Sequence, residues 1–186
     1  MKFTPTRLPD VVVIEPTVFS DERGWFMESF SQRRFADGLS ALGLPQPRPF
    51  VQDNESASAR GVLRGLHYQL PPHPQGKLVR VVQGAALDVA VDIRRGSATF
   101  GQWVIEELSA ANRKQLWIPE GFAHGFVALQ DNTRFVYKTT DFYAKDCERA
   151  IRWDDPAIAI AWPAGLQALL APKDATAPLL VNAEVF

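Results

Sequence analysis

Two of the chain's three histidines lie in glycine-punctuated stretches. One is Arg60-Gly61-Val62-Leu63-Arg64-Gly65-Leu66-His67-Tyr68-Gln69, and the other is Pro119-Glu120-Gly121-Phe122-Ala123-His124-Gly125-Phe126. Imidazoles in such strand-like surroundings either hold a metal or move protons. A tight transition-metal site takes three or more protein ligands, and these stretches offer two, with Tyr68 and Gln69 following His67. The third histidine, His73, sits in Pro71-Pro72-His73-Pro74 and reads as a solvated loop residue. No metal is therefore expected. Neutral imidazole accepts a proton near physiological pH without a large pKa shift, so His67 is the candidate general base. Such a base uses a carboxylate on its other ring nitrogen to fix tautomer and orientation. Asp88, Asp92 and Asp174 are available, and sequence alone does not choose among them.

Other side chains extend this chemistry. Lys77 opens the apolar run Lys77-Leu78-Val79-Arg80-Val81. A lysine on a barrel strand costs desolvation unless it meets an anion or a developing negative charge, which suits an enolate oxygen; the alternative is a solubilising charge at a strand edge. Tyr137 ends Thr133-Arg134-Phe135-Val136-Tyr137 and could donate a proton opposite a histidine or simply pack with its hydroxyl satisfied. Arg23, beside Phe19, Trp25 and Phe26, either grips a phosphate next to stacking rings or caps an aromatic core edge. Gln52-Asp53-Asn54 is a turn or a donor–acceptor set for a sugar or base. No glycine-rich phosphate loop of the nucleotide-fold kinds is present.

The elements that must position these groups are mostly strands. Short β-branched and aromatic runs broken by Gly, Pro, Asn and Asp predict strands over 11–14, 26–29, 78–83, 86–94, 101–108, 114–118, 125–128 and 133–138. Leu87, Val89, Val91 and Ile93 alternate with Asp88, Ala90, Asp92 and Arg94, the period of a strand with unlike faces. That apolar face needs cover from a facing sheet or a second subunit. Residues 31–42 predict a short helix ended by Gly43 and Pro45, and 166–170 a helical turn before Pro172. The pattern is all-β, a sandwich or barrel, in one domain over 1–186.

Composition narrows the function classes. Hydrophobic residues make up 46% and charged residues 22% of the 186, with a formal net charge of −1. That charge gives no global attraction to nucleic acid or an anionic membrane, so neither is an expected partner. The single cysteine, Cys147, excludes an intrachain disulfide framework. The longest early apolar run, Val11-Val12-Val13-Ile14, is too short for a signal-peptide core or a membrane span, so the expected location is the cytoplasm.

The ordered set Asp21-Glu22-Arg23-Gly24, Glu28-Ser29-Phe30, Gln52-Asp53-Asn54, Arg64-Gly65-Leu66-His67-Tyr68-Gln69, Gln75-Gly76-Lys77-Leu78-Val79-Arg80, Asp88-Val89-Ala90-Val91-Asp92, Pro119-to-Phe126, Tyr137-Lys138-Thr139-Thr140 and Lys173-Asp174 resembles the dTDP-4-dehydrorhamnose 3,5-epimerase family over nearly the whole chain. Each fragment alone is weak; their order and spacing are specific. The resemblance implies a cupin-type jelly-roll barrel with a few short peripheral helices. It also implies a homodimer with active sites near the subunit interface, working without metal or cofactor. The implied substrate is a dTDP-linked 4-keto-6-deoxyglucose, inverted at both carbons beside the ketone on the route to dTDP-L-rhamnose. By matching motif, His67 would remove the proton beside the ketone and Asp174 would pair with it. Asp88 would line the site, Lys77 would stabilise the enolate, and Tyr137 would return a proton from the opposite face. Arg23, Glu28, Gln52, Asp53, Asn54, Arg64, His124, Tyr143, Glu148 and Lys173 match positions that contact the nucleotide-sugar. Phe19 and Phe26 match aromatics that approach the thymine from the partner subunit.

Two departures are Trp25, where the family more often has Phe, and Ala171-Pro172 before Lys173, where a small polar residue is common. Two other functions fit the same residues: a single-carbon epimerase of a related sugar, and a non-catalytic nucleotide-sugar-binding cupin. One geometric difficulty stands out. Arg64 and His67 are three apart and would face opposite ways on a regular strand, unless Gly65 allows a bulge.

Overall fold

The computed structural model describes all residues 1–186. Its strands are β1 (Lys2–Pro5), β2 (Val12–Glu15), β3 (Val18–Asp21), β4 (Gly24–Met27), β5 (Gln52–Ser58), β6 (Val62–Gln69), β7 (Lys77–Gln83), β8 (Ala85–Asp92), β9 (Trp103–Ser109), β10 (Gln115–Ile118), β11 (Phe122–Ala128), β12 (Thr133–Thr139), β13 (Glu148–Ala150) and β14 (Leu169–Leu170). Two helices, α1 (Gln32–Ala41) and α2 (Pro172–Ala175), lie outside them. One sheet runs β1-β2-β10-β7-β12-β5 and the other β13-β6-β11-β8-β9, with β14 joined in parallel to β6. β3 and β4 form a separate hairpin.

Side-chain alternation closes the two sheets on each other. Val79, Val81, Leu116, Ile118 and Phe135 from the first meet Ala86, Ala90, Val104, Leu108, Phe122 and Phe126 from the second in one buried cluster. Polar side chains that share these inward positions are thereby carried into the barrel. On β8 the inward residues include Ala86 and Ala90, with Asp88 between them at the same parity. The opposite face carries Val89, Val91 and Ile93, and here the sequence expectation needs correction. Neither the facing sheet nor a second subunit covers these three, and Leu87, at the start of the same row, stays half-buried outside their cluster. They pack with Tyr68, Ile151, Ile158, Leu180 and Ala183, and with the partly buried Trp162, Val185 and Phe186. The chain's own C-terminal segment is the cover.

The outer face of the first sheet is covered by α1. Ser31 caps its N-terminus, its hydroxyl accepting from Arg34 N at 3.4 Å. Phe35 and Leu39 then pack on Val12, Ile14, Leu78 and Trp117. Two local expectations also change. Leu169 and Leu170, expected in a helical turn, form β14 beside Val62 and Leu63. Gln52-Asp53-Asn54 is not a turn: it starts β5 and pairs with Thr139, Lys138 and Tyr137. No helix is long and apolar enough to cross a membrane.

Candidate active site

The site begins with an irregularity in β6. His67 pairs with His124 and Arg64 with Phe126, so three steps along β6 match two along β11. The extra residue is a bulge, and it brings Arg64 and His67 to the same side of the sheet. Gly65 makes this possible with φ +133°, and a Cβ there would lie 2.5 Å from Gly125 Cα. Both residues line a cavity of about 580 Å³, of small-molecule size.

His67 Nε2 is 2.6 Å from Asp174 Oδ1. Asp174 reaches it from α2 and is itself buried. Burial pushes the Asp174 carboxyl up, but the hydrogen bond and charge of His67, with the Gly65 N–H and the Lys173 ammonium, together hold it below its ordinary value. An ionised Asp174 accepts the Nε2 proton, which leaves Nδ1 of His67 as the proton-accepting atom. The other two candidate aspartates are committed elsewhere. Asp92 accepts from Arg94, Ser97 and Thr99. Asp88 binds His124 Nε2 at 2.7 Å.

His124 and Asp88 form a second imidazole–carboxylate pair, deeper in the barrel. His124 reaches the cavity wall, whereas Asp88 is fully buried and is not among the wall residues. Burial holds the imidazole below its usual value and pushes the Asp88 carboxyl up. Asp88 Oδ2 has no hydrogen-bond partner. Lys77 lines the same cavity from the other sheet. It is not an edge charge: β7 runs between β10 and β12, and Lys77 is 7% exposed. Its ammonium donates to the His67 carbonyl at 3.2 Å. Burial lowers its pKa to about 8, with Asp88 and Glu148 opposing the shift. Tyr137 lines the cavity from β12, and burial raises its phenol further above neutrality, keeping it a proton donor. One cavity thus holds an oriented base on β6 of one sheet and, on β12 and β7 of the other, a phenolic acid and a buried cation.

The mouth is a relay of polar groups. Lys173 Nζ is 2.9 Å from Glu148 Oε1, and Tyr143 donates to Glu148 Oε2 at 3.1 Å. Burial pushes the Glu148 carboxyl up, but Lys173, the Tyr143 hydroxyl and the charge of His67 together hold it below its ordinary value. Arg64, whose Nε donates to Ser58 Oγ at 3.2 Å, and Asn54 complete this side.

Other expected contacts lie elsewhere. Gln52 is beside the cavity and donates to Asn54 Oδ1 at 2.9 Å. Asp53 points to the outer face and pairs with Lys138 at 2.9 Å, and Glu28 pairs with Arg34 at 3.4 Å. Phe19, Arg23 and Phe26 sit on the β3–β4 hairpin and do not line this cavity. Phe19 and Phe26 are 63% and 68% exposed, so the alternative of an aromatic core edge does not hold. The hairpin meets the barrel where Arg113 stacks on Trp25 at 4.5 Å. No three His, Cys, Asp or Glu side chains are placed to hold a metal ion.

Sequence reasoning gave no role to Gln69 or Gln75, which also line the cavity. Gln69 was accessible to it, because a residue two beyond His67 on a strand shares its face.

Two antiparallel sheets closed around a polar cavity place the molecule among the cupin-like jelly-roll proteins. Comparison with known proteins narrows this further. The chain belongs to the dTDP-4-dehydrorhamnose 3,5-epimerase family, whose model matches residues 5–182. The proteins of that name from Shigella flexneri and Pseudomonas aeruginosa are each 54% identical over 186 residues, covering 100% of this chain and 99% of theirs. The crystal structure of dTDP-6-deoxy-D-glucose-3,5-epimerase from Legionella pneumophila in complex with dTDP-4-keto-L-rhamnose matches with a TM-score of 0.90. It is 50% identical and covers 97% of this chain and 93% of that one.

Proposed function

We propose that this chain is a cofactor-independent isomerase that converts dTDP-4-keto-6-deoxy-D-glucose to dTDP-4-keto-L-rhamnose, in dTDP-L-rhamnose biosynthesis. The observation that carries the mechanism is the Asp174-oriented His67 sharing one cavity with Tyr137 and the buried Lys77. His67 Nδ1 takes the proton from a carbon beside the ketone. The electron pair moves to the ketone oxygen, where the Lys77 ammonium meets the developing charge. Tyr137 then protonates the carbon from the other face, and the carbonyl re-forms. Each inversion leaves His67 with an extra proton and Tyr137 short of one, so exchange with solvent must reset the pair before the second carbon reacts. Arg64, Asn54, Tyr143, Glu148 and Lys173 hold the nucleotide-sugar at the mouth.

Phe19, Arg23 and Phe26 complete the nucleotide end from a second subunit. The exposure of those aromatics on a hairpin clear of its own cavity supports a homodimer. Residues 1–186 act as one domain, and the enzyme works in the cytoplasm. Proton NMR of the 4-keto sugar in deuterated water tests the reaction. Deuterium should enter at both carbons flanking the ketone and at no others; labelling at one carbon would indicate a single-carbon epimerase, and none would indicate a binding protein.

A further inference from the structure

Beyond Thr139 the chain leaves the sheet, and residues 141–144 have no strand partner. Their backbone is held instead by glutamine side chains from three places. Gln75 Nε2 donates to Asp141 O at 2.8 Å. Gln69 Nε2 donates to Phe142 O at 3.2 Å, and Gln69 Oε1 accepts from Ala144 N at 2.8 Å. Gln52 Oε1 accepts from Tyr143 N at 3.0 Å. Four successive residues are thus each tied by one hydrogen bond to a glutamine amide. Gln69 is the most committed of the three. It is 3% exposed, and its second N–H is taken by His73 O at 2.7 Å. An amide is the side chain that suits this task, since it donates to one backbone carbonyl and accepts from a nearby N–H.

The tied segment carries Tyr143, which forms part of the cavity rim and donates to Glu148. Tyr143 is 55% exposed, so its own packing does not fix it. We propose that Gln69 is a positioning residue for substrate binding, holding the 141–144 segment so that Tyr143 and Glu148 stand ready at the mouth. The inference rests on reading the cavity as the nucleotide-sugar site. It assigns Gln69 an effect on binding and none on proton transfer, because the bonds it makes lead away from the His67–Asp174 pair. A preorganised rim spares the substrate the cost of ordering it.

The experiment is a double-mutant cycle in steady-state kinetics with the dTDP-4-keto sugar. Gln69→Met keeps length and volume but removes every hydrogen bond the side-chain amide makes. It should raise KM roughly tenfold and leave kcat within about threefold, the pattern of lost uniform binding. In a Tyr143→Ala background the same change should add less than about twofold, because the group it positions is gone. An unchanged KM in Gln69→Met, an equal rise in both backgrounds, or a loss confined to kcat would overturn the proposal. Should Gln69→Met not fold, Gln75→Met, at the less buried end of the segment, enters the same cycle with the same expectations. The wild-type enzyme serves as control. Failure of the wild type to turn over the sugar would remove the underlying reading, whereas normal wild-type kinetics beside a silent Gln69→Met removes only this inference.

Discussion

The barrel contains the same chemical pair twice, in two different regions. His67 meets Asp174 at 2.6 Å near the mouth, and His124 meets Asp88 at 2.7 Å in the interior. The bond lengths barely differ; the surroundings do. His67 keeps 24% of its side chain exposed and His124 keeps 8%. Asp174 is held below its ordinary pKa by its histidine, while burial pushes Asp88 up in spite of its own. The mouth pair is therefore an ionised carboxylate orienting a reachable base. The interior pair is a carboxylate pushed up by burial and an imidazole held below its usual pKa, beside Lys77, whose charge Asp88 supports. A hydrogen-bond distance alone would not have separated these roles. Access to the cavity and the neighbouring charge do.

Substitutions that treat the two pairs alike provide the sharpest tests. His67→Asn should lower kcat about 10³-fold, the scale of a general base, and should abolish deuterium incorporation at both carbons. Unchanged exchange would leave the mouth pair without its assigned task. Asp174→Asn should cost about 10²-fold in kcat, since an amide can hold the wrong tautomer of His67; a loss confined to KM would contradict an orienting role. The interior pair is expected to act through Lys77. The working form of that side chain is the ammonium, and its pKa is about 8. kcat/KM should therefore hold up to about pH 8 and fall above it, about tenfold per unit. Asp88→Asn removes a carboxylate that raises this pKa, so the fall should begin at lower pH; a limb that stays in place would uncouple Asp88 from Lys77. His124→Asn should have the smallest kinetic effect, within about tenfold in kcat at pH 7. It should nevertheless cost about 3 kcal/mol of stability, seen as a lowered melting temperature, because a buried carboxyl loses its partner. A catalytic defect as deep as that of His67→Asn would erase the distinction between the pairs.

Much of this was legible in the chain, unevenly. Alternation on 87–94 specified a strand with unlike faces, and β8 has that form because nothing local competes with it. The glycine-flanked histidines marked the two strands that carry the imidazoles. Pairings across long separations were not legible. Leu169 and Leu170 look like a helical fragment, and only Val62 and Leu63, over a hundred residues earlier, make them a strand. Gln52-Asp53-Asn54 reads as a turn or a donor–acceptor set, yet it is a strand, and Asn54 faces a polar cavity rather than a core. The choice among three aspartates for His67 was likewise tertiary, decided by where α2 sets Asp174 down. The cover over Val89, Val91 and Ile93 was misjudged because it comes from scattered apolar residues after 150, which carry no periodic signal.

The bulge at Gly65 has a consequence for anyone moving this chemistry to another scaffold. Copying Arg64, His67 and their neighbours onto a regular strand would point the guanidinium and the imidazole to opposite sides, whatever their rotamers. The portable unit is larger. It comprises the extra residue, the glycine at φ +133° and the facing Gly125 that leaves room for it. A recipient barrel with alanine at either glycine would have to shift its register before it could receive the site, and a shift of one residue turns an inward-facing set outward.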